Sequence, residues 1–116
     1  MDERLEKALD FSNYMLTLSN QKRLITEKYQ EDLLYFYNGS QFTITRELIT
    51  FVSTMLAADQ DEIIVIDDNN LPCLVEDINV FYDEIIDKYT TASNDYHSEY
   101  LKLKKSRSIE KLVNYE

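Results

Sequence analysis

The chain has one glycine, one proline, one cysteine, one histidine and no tryptophan in 116 residues. A lone glycine leaves no phosphate-cradling loop, because the Walker and dinucleotide-binding fingerprints each need several. Scarce glycine and proline together exclude collagen, flexible linkers and most turn-rich all-β folds. Cys73 has no second cysteine to pair with, and one Cys and one His are too few for a structural zinc site. The start, Met1-Asp2-Glu3-Arg4, lacks the basic and then apolar profile of a signal peptide. The longest apolar run, Leu33 to Tyr37, is far short of the ~20 residues that cross a bilayer.

Basic residues are also few. Lys and Arg number 12 against 22 Asp and Glu, a net charge of −10, which repels nucleic-acid phosphates and anionic lipid. The expectation is a cytoplasmic protein that contacts neither nucleic acid directly nor a membrane. The charge is segregated. Residues 38–77 carry one basic and eight acidic side chains, whereas Lys102 to Lys111 holds five cations against Glu110 alone.

What is abundant is helical periodicity. Ala8, Phe11, Met15, Leu18, Ile25, Tyr29, Leu33 and Phe36 recur mostly at steps of three and four, the spacing of one apolar stripe. Lys22 interrupts it. Asp2, Glu3 and Glu6 suit the positive end of a helix dipole, and Asn38-Gly39 suits a stop. A helix over 3–37 is predicted. Gln41 to Ile44 reads as a short strand, and Thr45 as the N-cap of a helix over about 45–58 with Leu48, Phe51, Val52, Met55 and Leu56 on its apolar face. Glu62 to Ile66 and Leu71 to Val75 flank Asp67-Asp68-Asn69-Asn70, which predicts a β-hairpin over about 62–76. With Gln41 to Ile44 it makes a three-stranded sheet. Pro72, which has no N–H, belongs at an edge or at the start of its strand.

From Asp77 the helical period returns. Ile78, Tyr82, Ile85, Tyr89, Ala92, Tyr96 and Leu103 line a second stripe, with Glu99 in the remaining seam position. A helix over 78–105 follows. Two long stripes of matched length must cover one another. The fold class is therefore α+β: two long antiparallel helices capped by a short helix and a small three-stranded sheet, in a single domain over 1–116 with 106–116 as a flexible docking tail. Narrow Tyr-lined stripes leave apolar surface that predicts a homo-oligomer.

Catalytic constellations are missing. His97 lies within a helix and Cys73 in a strand, with no motif joining them. The acids from Asp59 to Asp77 fit no calcium loop: a loop starting at Asp67 would need Gly at its sixth position and an acid at its twelfth, where Pro72 and Ile78 stand. They read as turns, caps and strand ends, with a weak divalent site across the hairpin ends as the residual reading. No catalytic residue, cofactor or metal is assigned. The one stretch singled out is the basic end, where Lys102, Lys104, Lys105, Arg107, Ile109 and Leu112 form a candidate interaction surface for an acidic partner or for the acidic hairpin of another copy.

The strings DLLYFYNGSQFTITRELITFV (Asp32 to Val52), IDDNNLPCLVEDINVFYDEI (Ile66 to Ile85) and YLKLKKSRSIEKLV (Tyr100 to Val113) resemble small proteins of unassigned role from marine contractile-tailed bacteriophages, including cyanobacterial phages. The resemblance covers most of the chain and carries no site residues. It implies a phage product in the host cytoplasm or the virion. The expected function is a non-enzymatic protein–protein interaction module, structural, assembly or accessory. The alternative is an acidic regulator that occupies a basic site on a nucleic-acid enzyme such as a polymerase; acids forming one exposed ribbon favour it, and acids scattered around strand ends favour the scaffold.

Overall fold

The structure, a computed structural model, describes the backbone of residues 2–115 and the side chains of residues 2–106. The chain is α+β, in the order α1 (Glu3–Asp32), β1 (Leu34–Tyr37), β2 (Ser40–Thr43), α2 (Arg46–Ala57), β3 (Ile63–Ile66), β4 (Pro72–Val75) and α3 (Ile78–Tyr115). It divides into two compact units, residues 1–29 with 95–116 and residues 30–94.

In residues 30–94 the two hairpins and α2 enclose a core with the first half of α3. Val52, Val75, Ile78, Phe81 and Ile85 are completely buried, and Phe42 and Ile44 nearly so. Phe81 is the hub. The rings of Tyr35, Tyr37 and Phe42 meet it edge-on at 5.6, 5.4 and 5.6 Å, the arrangement that sets positive ring edges against a negative ring face. α2 begins where expected: the Thr45 hydroxyl accepts the Leu48 N–H at 3.1 Å. It ends without glycine. Asp59 takes a left-handed φ of 59°, and the N–H groups of Asp59 and Gln60 donate back to the Leu56 and Met55 carbonyls, the Schellman pattern.

Two expectations fail here. The helix predicted over 3–37 ends at Asp32, and Leu34–Tyr37 is a strand. Asn38 and Gly39 have φ of 47° and 79°. Positive φ at both central residues is the signature of a type I′ turn, so Asn-Gly joins a hairpin and does not stop a helix. The predicted three-stranded sheet is two separate two-stranded sheets, β1–β2 and β3–β4. The strand expected at 41–44 is β2, and it pairs with β1, the segment assigned to the helix.

In the other unit α1 and α3 run antiparallel. Thr26 Oγ1 and Tyr96 Oη are hydrogen-bonded at 3.2 Å, and the Tyr29 and Tyr96 rings stack at 4.5 Å. Leu18 and Leu103 are buried and Ile25 is half-buried, as the stripes predict. The N-terminal part of the α1 stripe differs: Ala8, Phe11 and Met15 are exposed. The α3 backbone continues past the expected end at 105 to Tyr115. Among the described residues, no helix is long and apolar enough to cross a membrane.

Candidate protein-interaction surface

The hairpin β3–β4 is apolar on both faces. Its eight strand residues are Ile63-Ile64-Val65-Ile66 and Pro72-Cys73-Leu74-Val75. Pleating sends alternate side chains to opposite sides. Ile63, Val65, Cys73 and Val75 enter the core. Ile64 lies opposite Leu74, and Ile66 opposite Pro72, on the other face. Ile64, Ile66 and Leu74 are 54, 58 and 43 % exposed, and Leu71 beside them is 59 % exposed. An antiparallel hairpin with one face on a core ordinarily turns polar residues outward. Here not one strand residue is polar.

Carboxylates hold both ends of this face. At the turn, Asp67 is buried. Its Oδ1 accepts the N–H groups of Asn69 and Leu71, both at 2.9 Å, while its own N–H donates to the Leu71 carbonyl at 2.9 Å. That Asx turn fixes the loop and presents Leu71 at its end. Asp68 reaches to β2. Its N–H donates to the Gln41 carbonyl at 2.9 Å, Oδ1 accepts the Thr43 N–H at 3.0 Å, and Oδ2 accepts from the Thr43 hydroxyl at 2.7 Å and the Gln41 amide at 3.1 Å. Partial burial pushes the Asp68 carboxyl up, but the three hydrogen bonds outweigh it and hold the group below the usual carboxylate range. At the opposite end, Asp77 Oδ1 caps α3 through the Val80 N–H at 3.2 Å, and the Asp61 carbonyl accepts the Ile78 N–H at 3.3 Å. Asp61, Glu62 and Glu76 are exposed there.

The basic stretch singled out from the sequence is on the surface of α3 in the other unit. Lys102, Lys104 and Lys105 are exposed, and Lys102 Nζ pairs with Glu99 Oε1 at 3.2 Å. Arg107, Ile109 and Leu112 lie outside the residues whose side chains are described. His97 is exposed on α3, and Cys73 is buried on the inner face of β4. Among the described residues no group of three or more metal-ligating side chains comes together.

The outward face of the hairpin was missed in the sequence, although a signal for it existed. Ile63 to Ile66 is a continuous apolar run and does not alternate, the pattern of a strand covered on both sides. No protein-family model matches the chain, and no curated protein or solved structure matches it either.

Proposed function

We propose that the chain is a non-enzymatic protein–protein interaction module, an assembly or accessory factor of phage type, that meets its protein partner through the outer face of β3–β4 and acts as a homo-oligomer. The observation that carries this is the exposed apolar set Ile64, Ile66, Leu71 and Leu74 on a hairpin whose other face is already in the core. Each has about half of its surface left to bury, roughly 1 kcal/mol apiece. That is the scale of a binding anchor and not of scattered surface residues. The acids at the two ends favour a partner that brings Lys or Arg on either side of an apolar strip. The phage-type role rests on the sequence resemblance alone.

The placement of the acids supports the module over the acidic regulator. Asp59 terminates α2, Asp67 ties the turn, Asp68 joins the hairpins and Asp77 caps α3. Asp61, Glu62 and Glu76 lie beside the strand ends opposite the turn, so the acids sit at element ends, and the buried Asp67 is no part of an exposed ribbon.

The test is a pull-down from infected-host lysate with the wild type and with the Ile64→Glu/Leu74→Glu variant. Both side chains point outward, so circular dichroism should show the variant folded. The reading expects a protein retained by the wild type and lost by the variant. Identical retention by both contradicts it.

A further inference from the structure

α1 carries two apolar stripes, and only one faces α3. Leu18 is its buried residue. Leu9 precedes it by nine residues, and at about 100° per residue the two point in opposite directions. Leu5 and Leu16 fall within about 40° and about 20° of Leu9 on that outward side. All three are exposed, at 52, 47 and 62 % for Leu5, Leu9 and Leu16. Asp2, Leu5, Leu9, Ser12, Leu16, Ser19 and Arg23 step by three and four in strict alternation, the heptad rhythm of a helix seam. Farther along, the same face closes with the ion pair Arg23–Glu27 at 3.7 Å.

The surroundings of that seam are unusual for solvent. Every residue from Glu3 to Thr17 except Tyr14 is exposed, yet residues 8–21 include a single charged side chain, Asp10. Charged residues make up 29 % of the chain. A helix open to water on nearly every side normally bears charge over much of its circumference. Past Lys7 this one bears mainly Leu, Ser, Asn and Thr, the composition of a surface that meets another helix.

We infer that the outward seam of α1 pairs with the same seam of a second copy, antiparallel about a two-fold axis. The spacing is self-complementary. In the register that sets Leu5 against Leu16 of the second copy, Leu9 falls against Ser12 and Asp2 against Ser19, and each relation repeats in reverse. Leu5 meets Leu16 on either side of the centre, and Leu9 meets the small Ser12 at the centre, so knobs find holes without overlap. Charge points to the same occupant. Two copies at −10 each repel, and the seam positions Leu5, Leu9, Ser12, Leu16 and Ser19 carry no charge, so they can touch at least cost. A strongly basic or acidic partner would find little there to pair with. The overlap from Asp2 to Ser19 is about 27 Å of helix. The inference deepens the oligomeric part of the proposed function by naming its surface, and it is independent of the hairpin.

The full chain is measured by sedimentation equilibrium at high micromolar concentration, as wild type, as Leu9→Lys/Leu16→Lys and as Ile64→Glu/Leu74→Glu. The wild type should give twice 13.8 kDa. The seam variant should give the monomer mass, with association weakened by more than about a hundredfold by the buried charge. The hairpin variant should remain a dimer, which separates failure of this inference from failure of the hairpin reading. Orientation is read from cysteine variants under oxidation. Leu5→Cys and Leu16→Cys should cross-link when mixed, and each alone should not. A monomeric wild type, a seam variant that still dimerises, or cross-linking of each single variant with itself would overturn the inference.

Discussion

Asp68 takes the place of a third strand for Thr43: its Oδ1 accepts the Thr43 N–H at 3.0 Å and its Oδ2 the Thr43 hydroxyl at 2.7 Å. Thr43 and Gln41 stand opposite Leu34 and Phe36. The Ile44 N–H donates to the Leu33 carbonyl, so the neighbouring pair of Leu34 and Thr43 is of the non-hydrogen-bonded kind, and the same holds two residues on. The backbone groups of Thr43 and Gln41 therefore point away from β1, to an edge that would stand open. One residue of the next hairpin satisfies two of them and joins the two sheets.

Replacing Asp68 with Ala should destabilise residues 30–94 by about 1 kcal/mol, a charge-assisted hydrogen-bond loss discounted for exposure to solvent. The pH dependence has a definite sign. The folded Asp68 lies below its ordinary value of 3.8, so its contribution is complete above that value and is lost as pH falls through the lower folded value. Acid titration of unfolding should show the wild type losing more stability than Asp68→Asn below about pH 4.

Gly39 has φ of +79° and nothing within 4 Å of an added Cβ. The cost of Gly39→Ala is thus conformational alone, about 1 kcal/mol. Denaturant unfolding should show the midpoint lowered with an unchanged slope. A helix stop at this position would tolerate the change no better, so the hairpin itself is checked by cross-strand nuclear Overhauser contacts between Tyr35 and Phe42, which are register partners.

Phe81 is completely buried and touches three aromatic rings. Phe81→Ala should cost about 3–5 kcal/mol, enough to unfold residues 30–94 of a marginally stable domain. Tyr82→Ala, one residue along and only half-buried, should cost much less in the same denaturant experiment.

What was legible in the sequence is what periodicity and caps express. The stripe from Ile78 to Leu103 is the buried or half-buried face of α3, and Thr45 and Asp77 cap as their types suggest. β1 was hidden because Leu33 and Phe36 continue the steps of α1, so a count of three and four ran on into a strand of β-forming aromatics. The three-stranded sheet was expected because Gln41 to Ile44 reads as a strand beside the 62–76 hairpin; it pairs with β1 instead, and the hairpin reaches it through the Asp68 side chain. The exposed half of the α1 stripe shows the limit of periodicity: it finds an apolar face and says nothing of whether this chain or another covers it. Lys102, Lys104 and Lys105 are exposed, while the apolar face of β3–β4 escaped notice because its strands were read for pairing and not for sidedness.

A protein partner on the outer face of β3–β4 would be caught by a photo-crosslinking residue placed on that face, as Ile66→p-benzoylphenylalanine, and compared with one at an exposed position of α3, as Thr90→p-benzoylphenylalanine. Each variant is irradiated in infected-host lysate and the products are resolved by mass. A discrete adduct is expected from position 66 and none from position 90. Equal labelling from both positions, or an adduct from position 90 alone, would contradict it.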